Sequence, residues 1–157
     1  MKFKIMIFLL ITVCFSNSNA ENNNEEINKQ VKIIDGDTIH LNGNKYRLHG
    51  IDAPEINQKC EINQQIYSCG LQSKTFLESM IKDKEVKCKQ KDIDKYKRIV
   101  AVCFVNGINI NQEMVKAGGA IAYRFYSKDY IKDEFFAETN QLGIWKGTFV
   151  KPKDWRR

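Results

Sequence analysis

The chain has 157 residues, 43% hydrophobic and 28% charged, with a formal net charge of +6 at pH 7. That length suits one domain with one core, and no apolar run beyond the first fifteen residues is long enough for a membrane helix, which argues against stable membrane insertion. The positive balance suits a polyanionic partner but equally an ordinary solvated surface, so charge alone does not choose a function.

The first twenty residues, "MKFKIMIFLLITVCFSNSNA", carry lysines at 2 and 4, an apolar run from Ile5 to Phe15 and a small-residue end, the pattern of a cleavable secretory signal ending at Ala20. A lipid anchor on Cys14 is disfavoured because Val13 stands where a small residue is expected. Residues 21–30, "ENNNEEINKQ", read as a flexible polar segment before a single domain over 31–157. Loss of Lys2 and Lys4 with the signal takes the charge from +6 to +4.

"KQVKII", "TIHL" and "KYRLHGI" alternate apolar and polar residues and read as strands. Asn42-Gly43 between the second and third is a hairpin signal. With these two at the centre of the turn, Ile39 faces Tyr46 and Leu41 faces Asn44, while Thr38, His40, Lys45 and Arg47 point to the other side. Asp37 falls beside Gly36, where a bulge would aim it at that polar side.

"GLQSKTFLESMI" has helical spacing at Leu71, Phe76, Leu77, Met80 and Ile81. "EVKCKQ" and "RIVAVCFV" form a second strand pair around "DIDKYK", and "NINQEMVKAGG" reads as a capped short helix closed by Gly118-Gly119. A last helix is predicted from Ser127 to near Gly143. Strands first, with helices between and after, indicate a small barrel or α+β domain.

With Cys14 removed, Cys60, Cys69, Cys88 and Cys103 remain, an even number in an exported chain, which argues for two disulfides in one of three pairings. No Cys-x-x-Cys appears, and His40 and His49 lack ligand spacing, so zinc is disfavoured. A second hairpin centred between Lys95 and Tyr96 sets Cys88 opposite Cys103, at the roughly 4.5–5.5 Å Cβ spacing of directly paired residues. That leaves Cys60 with Cys69.

Two acidic turns, "DGDT" and "GIDAPE", flank "YRL". If they meet, the carboxylates of Asp37 and Asp52 and the carbonyl of Ala53, aimed outward by Pro54, form an oxygen set suited to a hard cation such as Ca2+. Glu55 would then stand where it can take a proton from water. Arg47 and Arg98 supply guanidinium forks for a phosphodiester. Each turn alone is ordinary turn chemistry; their joint occurrence is the informative feature.

These residues resemble a known family. "DGDT", "YRLHGIDAPE", "DKYKR", "AYRFY", "LGIW" and the ending "WRR" look like the staphylococcal nuclease, or thermonuclease, family over nearly all of the mature chain, and "QKC…YSCG" resembles its exported bacterial branch. The resemblance implies a five-stranded OB-fold β-barrel with three α-helices, and calcium-dependent hydrolysis of DNA and RNA leaving 3′-phosphate ends. It gives Asp37, Asp52 and Ala53 to calcium, Glu55 to general base catalysis, and Arg47 and Arg98 to the scissile phosphate. Lys95, Tyr96 and Tyr123 match substrate-contacting positions.

Two departures stand out: Lys97 where the family often has glycine, a concern if φ is positive there, and Phe125 where a second tyrosine occurs. The reading is an exported monomeric nuclease. Its rivals are a noncatalytic OB-fold protein that binds single-stranded nucleic acid through basic and aromatic residues, and a scaffold that uses the barrel for interaction alone.

Overall fold

The computed structural model describes residues 31–157; the expected signal and flexible segment lie outside the described residues. A short strand β1 (Val31–Ile33) turns through "DGD" into β2 (Thr38–Leu41), which pairs antiparallel with β3 (Asn44–Leu48). The hairpin register is the predicted one, with Ile39 opposite Tyr46 and Leu41 opposite Asn44. Asn42 and Gly43 both adopt positive φ, 51° and 79°, as a type I′ turn demands. The chain bends into Asp37 from a bulge-like pairing just before it: the backbone N–H groups of Ile34 and Asp35 both donate to the one Thr38 carbonyl, at 3.0 and 3.4 Å.

After β4 (Ile51–Asp52), the small hairpin β5 (Cys60–Ile62) and β6 (Gln65–Tyr67) leads into helix α1 (Cys69–Ile81). Leu77 and Ile81 of α1 enter the core as expected, but Leu71 is 52% exposed, one position off the buried stripe. Strands β7 (Val86–Ile93) and β8 (Ile99–Val105) form the longest ladder. Strand β9 (Ile108–Asn109) adds to β8, and helix α2 (Ile110–Lys116) follows directly. The Asn109 side chain caps α2, accepting from the Gln112 N–H at 3.2 Å.

The main sheet runs β1-β2-β3-β8-β7, with β3 and β8 parallel and the other neighbours antiparallel. Among the described residues β1 and β7 do not pair, so the sheet is mixed and not a closed barrel. One inner face carries Ile39, Leu41, Leu48, Ala101 and Val105, packed against Leu77, Ile81, Met114 and Val115 of α1 and α2. The fully buried Asn111 amide pins α2 to the strands, accepting from the Cys103 N–H and donating to the carbonyls of His49 and Ala101.

Strand β10 (Ile121–Ala122) pairs with β4, setting Ile121 opposite Asp52. Helix α3 (Ile131–Thr139) begins four residues later than Ser127. The Ser127 hydroxyl accepts from the Asp129 N–H and the Ser127 N–H donates to the Tyr123 carbonyl, so this segment is spent on turns. Gly143–Lys146 forms a 3-10 turn, and a fourth helix, α4 (Pro152–Trp155), adds to the three expected. Pro152 at its first turn supplies a preset φ.

Both disulfides have the expected pairing, Cys60–Cys69 and Cys88–Cys103, with Cα atoms 5.6 and 4.0 Å apart. The ladder that sets the second is more irregular than the simple hairpin. Beside the turn, Ile93 pairs with Ile99, and a shift between Gln90 and Asp92 restores the register that joins Cys88 to Cys103. The turn closes with the Lys97 N–H on the Asp94 carbonyl and Lys97 at φ 62°. The turn is therefore one residue longer than the symmetric one, and the shift at Lys91 compensates for it.

Lys97 thus holds the left-handed conformation that glycine adopts without strain. Lys97→Gly should raise stability by up to about 1 kcal/mol, after allowance for the looser unfolded chain; an unchanged or lower denaturant midpoint would count against strain at this residue.

Candidate functional site

The two acidic turns meet through glycine. A Cβ on Gly36 would lie 2.7 Å from the Ala53 Cβ and 1.9 Å from the Ser73 hydroxyl, so only a bare backbone lets "DGD" seat against "DAPE" and α1. The Asp37 carboxylate then accepts from the Ala53 N–H at 2.8 Å and from the Thr38 hydroxyl at 3.1 Å. Ala53 therefore meets Asp37 through its amide, whereas its carbonyl was the expected metal ligand.

Arg47 projects from β3 opposite Thr38, on the polar side of the sheet as predicted. Its guanidinium makes an ion pair with Asp37 and donates to Asp52 at 3.0 Å. One guanidinium thus bridges both carboxylates. Asp37 is 5% and Asp52 0% exposed, so this compensation is required. Burial lowers the Arg47 pKa from its usual value, against the attraction of Asp52.

Glu55 is held by its backbone. Its N–H donates to the side chain of the fully buried Gln58 at 3.2 Å, and its carbonyl accepts from the Gln58 N–H at 2.7 Å. Gly70 at the start of α1 presses on the same segment, where a Cβ would lie 1.7 Å from the Glu55 carbonyl oxygen. The Glu55 carboxylate accepts from Arg156 at 2.7 Å.

Arg156 follows α4 and also donates to both Asp52 oxygens, at 3.0 and 3.2 Å. Burial opposes its charge, but the hydrogen bond to Glu55 and the charge of Asp52 raise its pKa. Sequence reasoning gave this residue no role. The Pro152 start signalled a helix, but nothing in the pattern identified a carboxylate 104 residues away as its partner.

Asp35 is a second omission. Its carboxylate accepts from the Asp37 N–H at 3.0 Å, and burial raises its pKa against the opposing charges of Arg47 and Arg98. The charge of Arg98 thus acts on Asp35 and Arg47. Arg98 is oriented by Asp94, with Nε on Oδ2 at 2.7 Å and the backbone N–H on Oδ1 at 3.0 Å. Although burial pushes the Asp94 carboxyl up, the hydrogen bonds from Arg98 hold it below its ordinary value.

Lys95 and Tyr96 stand at the exposed tip of the β7–β8 turn, where Tyr96 is 67% exposed. The Lys95 ammonium and the Arg98 guanidinium lie 5.0 and 5.5 Å from its ring. Tyr123 donates its backbone N–H to Gly50 at 2.8 Å, next to the Asp52 turn, and its ring meets Tyr126 edge-on at 5.0 Å. Buried Glu134 of α3 steadies this loop, accepting from the Ala122 N–H and from Arg124.

Among the described residues no three carboxylate, imidazole or thiol side chains converge on one point, and the cysteines are spent in disulfides. Asp37 and Asp52 do converge, because a single positive group bridges them. Both groups offer carboxylate oxygens, the donor type that hard cations take.

The Staphylococcal nuclease homologue family model matches residues 45–147, more than half of the chain. The chain is 36% identical to an uncharacterized endonuclease of Haemophilus influenzae, over 98% of this chain and 82% of that protein. It is 32% identical to the micrococcal nuclease of Shigella flexneri, over 81% and 78% of the two chains. It is also 32% identical to the succinoglycan biosynthesis protein ExoI of Rhizobium meliloti, over 78% and 66%. The bridged acidic turns and flanking arginines thus belong to a nuclease hydrolase: the chain is a member of the staphylococcal nuclease family.

Proposed function

We propose that the protein is an exported, calcium-dependent nuclease that hydrolyses DNA and RNA with little sugar specificity, leaving 3′-phosphate ends. The observation that carries the reading is the single guanidinium bridge between two buried carboxylates, with Glu55 beside it. Nuclease chemistry and metal dependence come with the family. Calcium is favoured by the oxygen donors, and export by the two disulfides and the amino-terminal pattern. The ladder β1-β2-β3-β8-β7, with α1, α2 and α3 beside it, is the part of the α+β fold that would correspond to the expected five-stranded OB-fold barrel with three helices.

Asp37 and Asp52 would hold the cation, whose charge would offset that of the phosphate; the Ala53 carbonyl remains a proposed third donor. Glu55 takes a proton as a water oxygen bonds to phosphorus, and the bond from phosphorus to the 5′ oxygen breaks on the opposite side. Arg47 and Arg98 neutralise the added negative charge, with Arg98 nearest the departing oxygen. Lys95, Tyr96 and Tyr123 would guide the neighbouring nucleotides by charge and stacking. A binding protein without catalysis would need the lysines and tyrosines but not a buried acidic pair, since carboxylates repel phosphate unless a cation intervenes.

Glu55→Gln should cut turnover of single-stranded DNA and RNA in calcium by about 10²–10⁴-fold without changing the unfolding midpoint by much. Retention of near-normal activity would remove Glu55 as the base. Arg98→Gln should lose about 10²–10³-fold, and a calcium chelator should silence the wild type; cutting that persists in the chelator would overturn calcium dependence.

Gly70→Ala offers a check on the supporting shell. The clash with the Glu55 carbonyl should cost about 1–3 kcal/mol of stability and lower turnover by displacing the base. Unaltered thermal unfolding would show that the segment yields freely.

A further inference from the structure

The ending "WRR" bears no role in the mechanism above, yet Arg156 donates three hydrogen bonds to carboxylates of the site, one to Glu55 and two to Asp52. Its Nη2 is shared between both Asp52 oxygens while its Nη1 holds Glu55. We propose that Arg156 is a resident cation of the site, which occupies Asp52 and Glu55 in the metal-free protein and competes with the hard cation for them. The proposal rests on the reading of Asp37 and Asp52 as a cation site.

Two observations carry it, and one electrostatic consequence follows. Asp52 is fully buried, with Arg47 on Oδ1 and Arg156 on both oxygens, so Oδ2 becomes unopposed only when Arg156 withdraws. Of the two, Arg47 is fixed in the sheet, paired with the Asp37 carboxylate and 13% exposed, whereas Arg156 hangs from the end of a four-residue helix and is 37% exposed. Arg156 is the one free to leave. Its removal would also leave Asp52 and Glu55, the two carboxylates it contacts, with one positive charge fewer beside them, which favours a divalent ion.

The test is calorimetric titration of calcium chloride alone, without nucleic acid, into the wild type and into Arg156→Gln, Arg156→Lys and Arg157→Gln. Arg156→Gln should tighten calcium binding on the order of tenfold, and Arg156→Lys, which keeps the charge without the fork, by less. Arg157→Gln should match the wild type, because among the described residues the Arg157 guanidinium pairs with Asp154, at 3.6 Å, and with neither Asp52 nor Glu55. Affinity in Arg156→Gln equal to or weaker than wild type overturns the competition while leaving the cation site standing. Calcium binding that survives Asp37→Asn, or is absent from every protein, overturns the cation site and the competition together. Should Arg156→Gln lose its cooperative unfolding transition, Arg156→Lys carries the comparison, and no gain there overturns the proposal.

Discussion

A carboxylate with no exposure cannot stand alone in a protein interior, and Asp52 is such a group. Desolvating it costs several kcal/mol unless charged partners are delivered to it. Much of the architecture serves that delivery. Strand β3 brings Arg47 across the sheet, the β4–β10 pair fixes the turn that bears Asp52, and α4 returns Arg156 from the far side of the chain. The partners satisfy Asp52 by hydrogen bonds as well as charge, which is why the arrangement is tolerated at full burial.

The neighbouring groups depend on this in turn. Asp37 can approach Asp52 only because Gly36 leaves room for Ala53 and Ser73, and Ser73 is itself fixed by its hydroxyl on the Gly119 carbonyl at 2.6 Å. Gln58 does the same for Glu55, reaching the Val150 carbonyl at 2.7 Å with its other end. Backbone contacts thus set the carboxylates, while long side chains neutralise them.

How much of this was legible in sequence follows from the range of the interactions. The β2–β3 register needed only Asn42-Gly43 and alternation, and it held residue for residue. The Cys88–Cys103 pair was also found, although the local picture was too simple: the longer turn at Lys97 and the shift near Lys91 cancel before the cysteines are reached. The segment from Ser127 to Tyr130 reads as helix by composition but is drawn into turns against Tyr123 and Gly50. Leu71 fitted the helical period but misses the core because α1 turns its other face inward. Arg156 was beyond reach, since its partners are set by tertiary packing and leave no mark at local spacing. The rival reading as a passive binder accounted for the lysines and tyrosines as well; it is the buried acids that it leaves without a use.

The distance along the chain between Asp52 and Arg156, 104 residues, has a kinetic meaning. Contacts of such separation form only after a long loop has been closed, against an entropy that local hairpins do not meet. The β2–β3 and β7–β8 hairpins can therefore form while Asp52 is still hydrated, and the carboxylate loses its water only when the far segment docks. Refolding should accordingly reach most of its sheet before the acidic turn becomes rigid, so that amide protection at Asp52 and Ala53 trails protection at Val102 and Cys103.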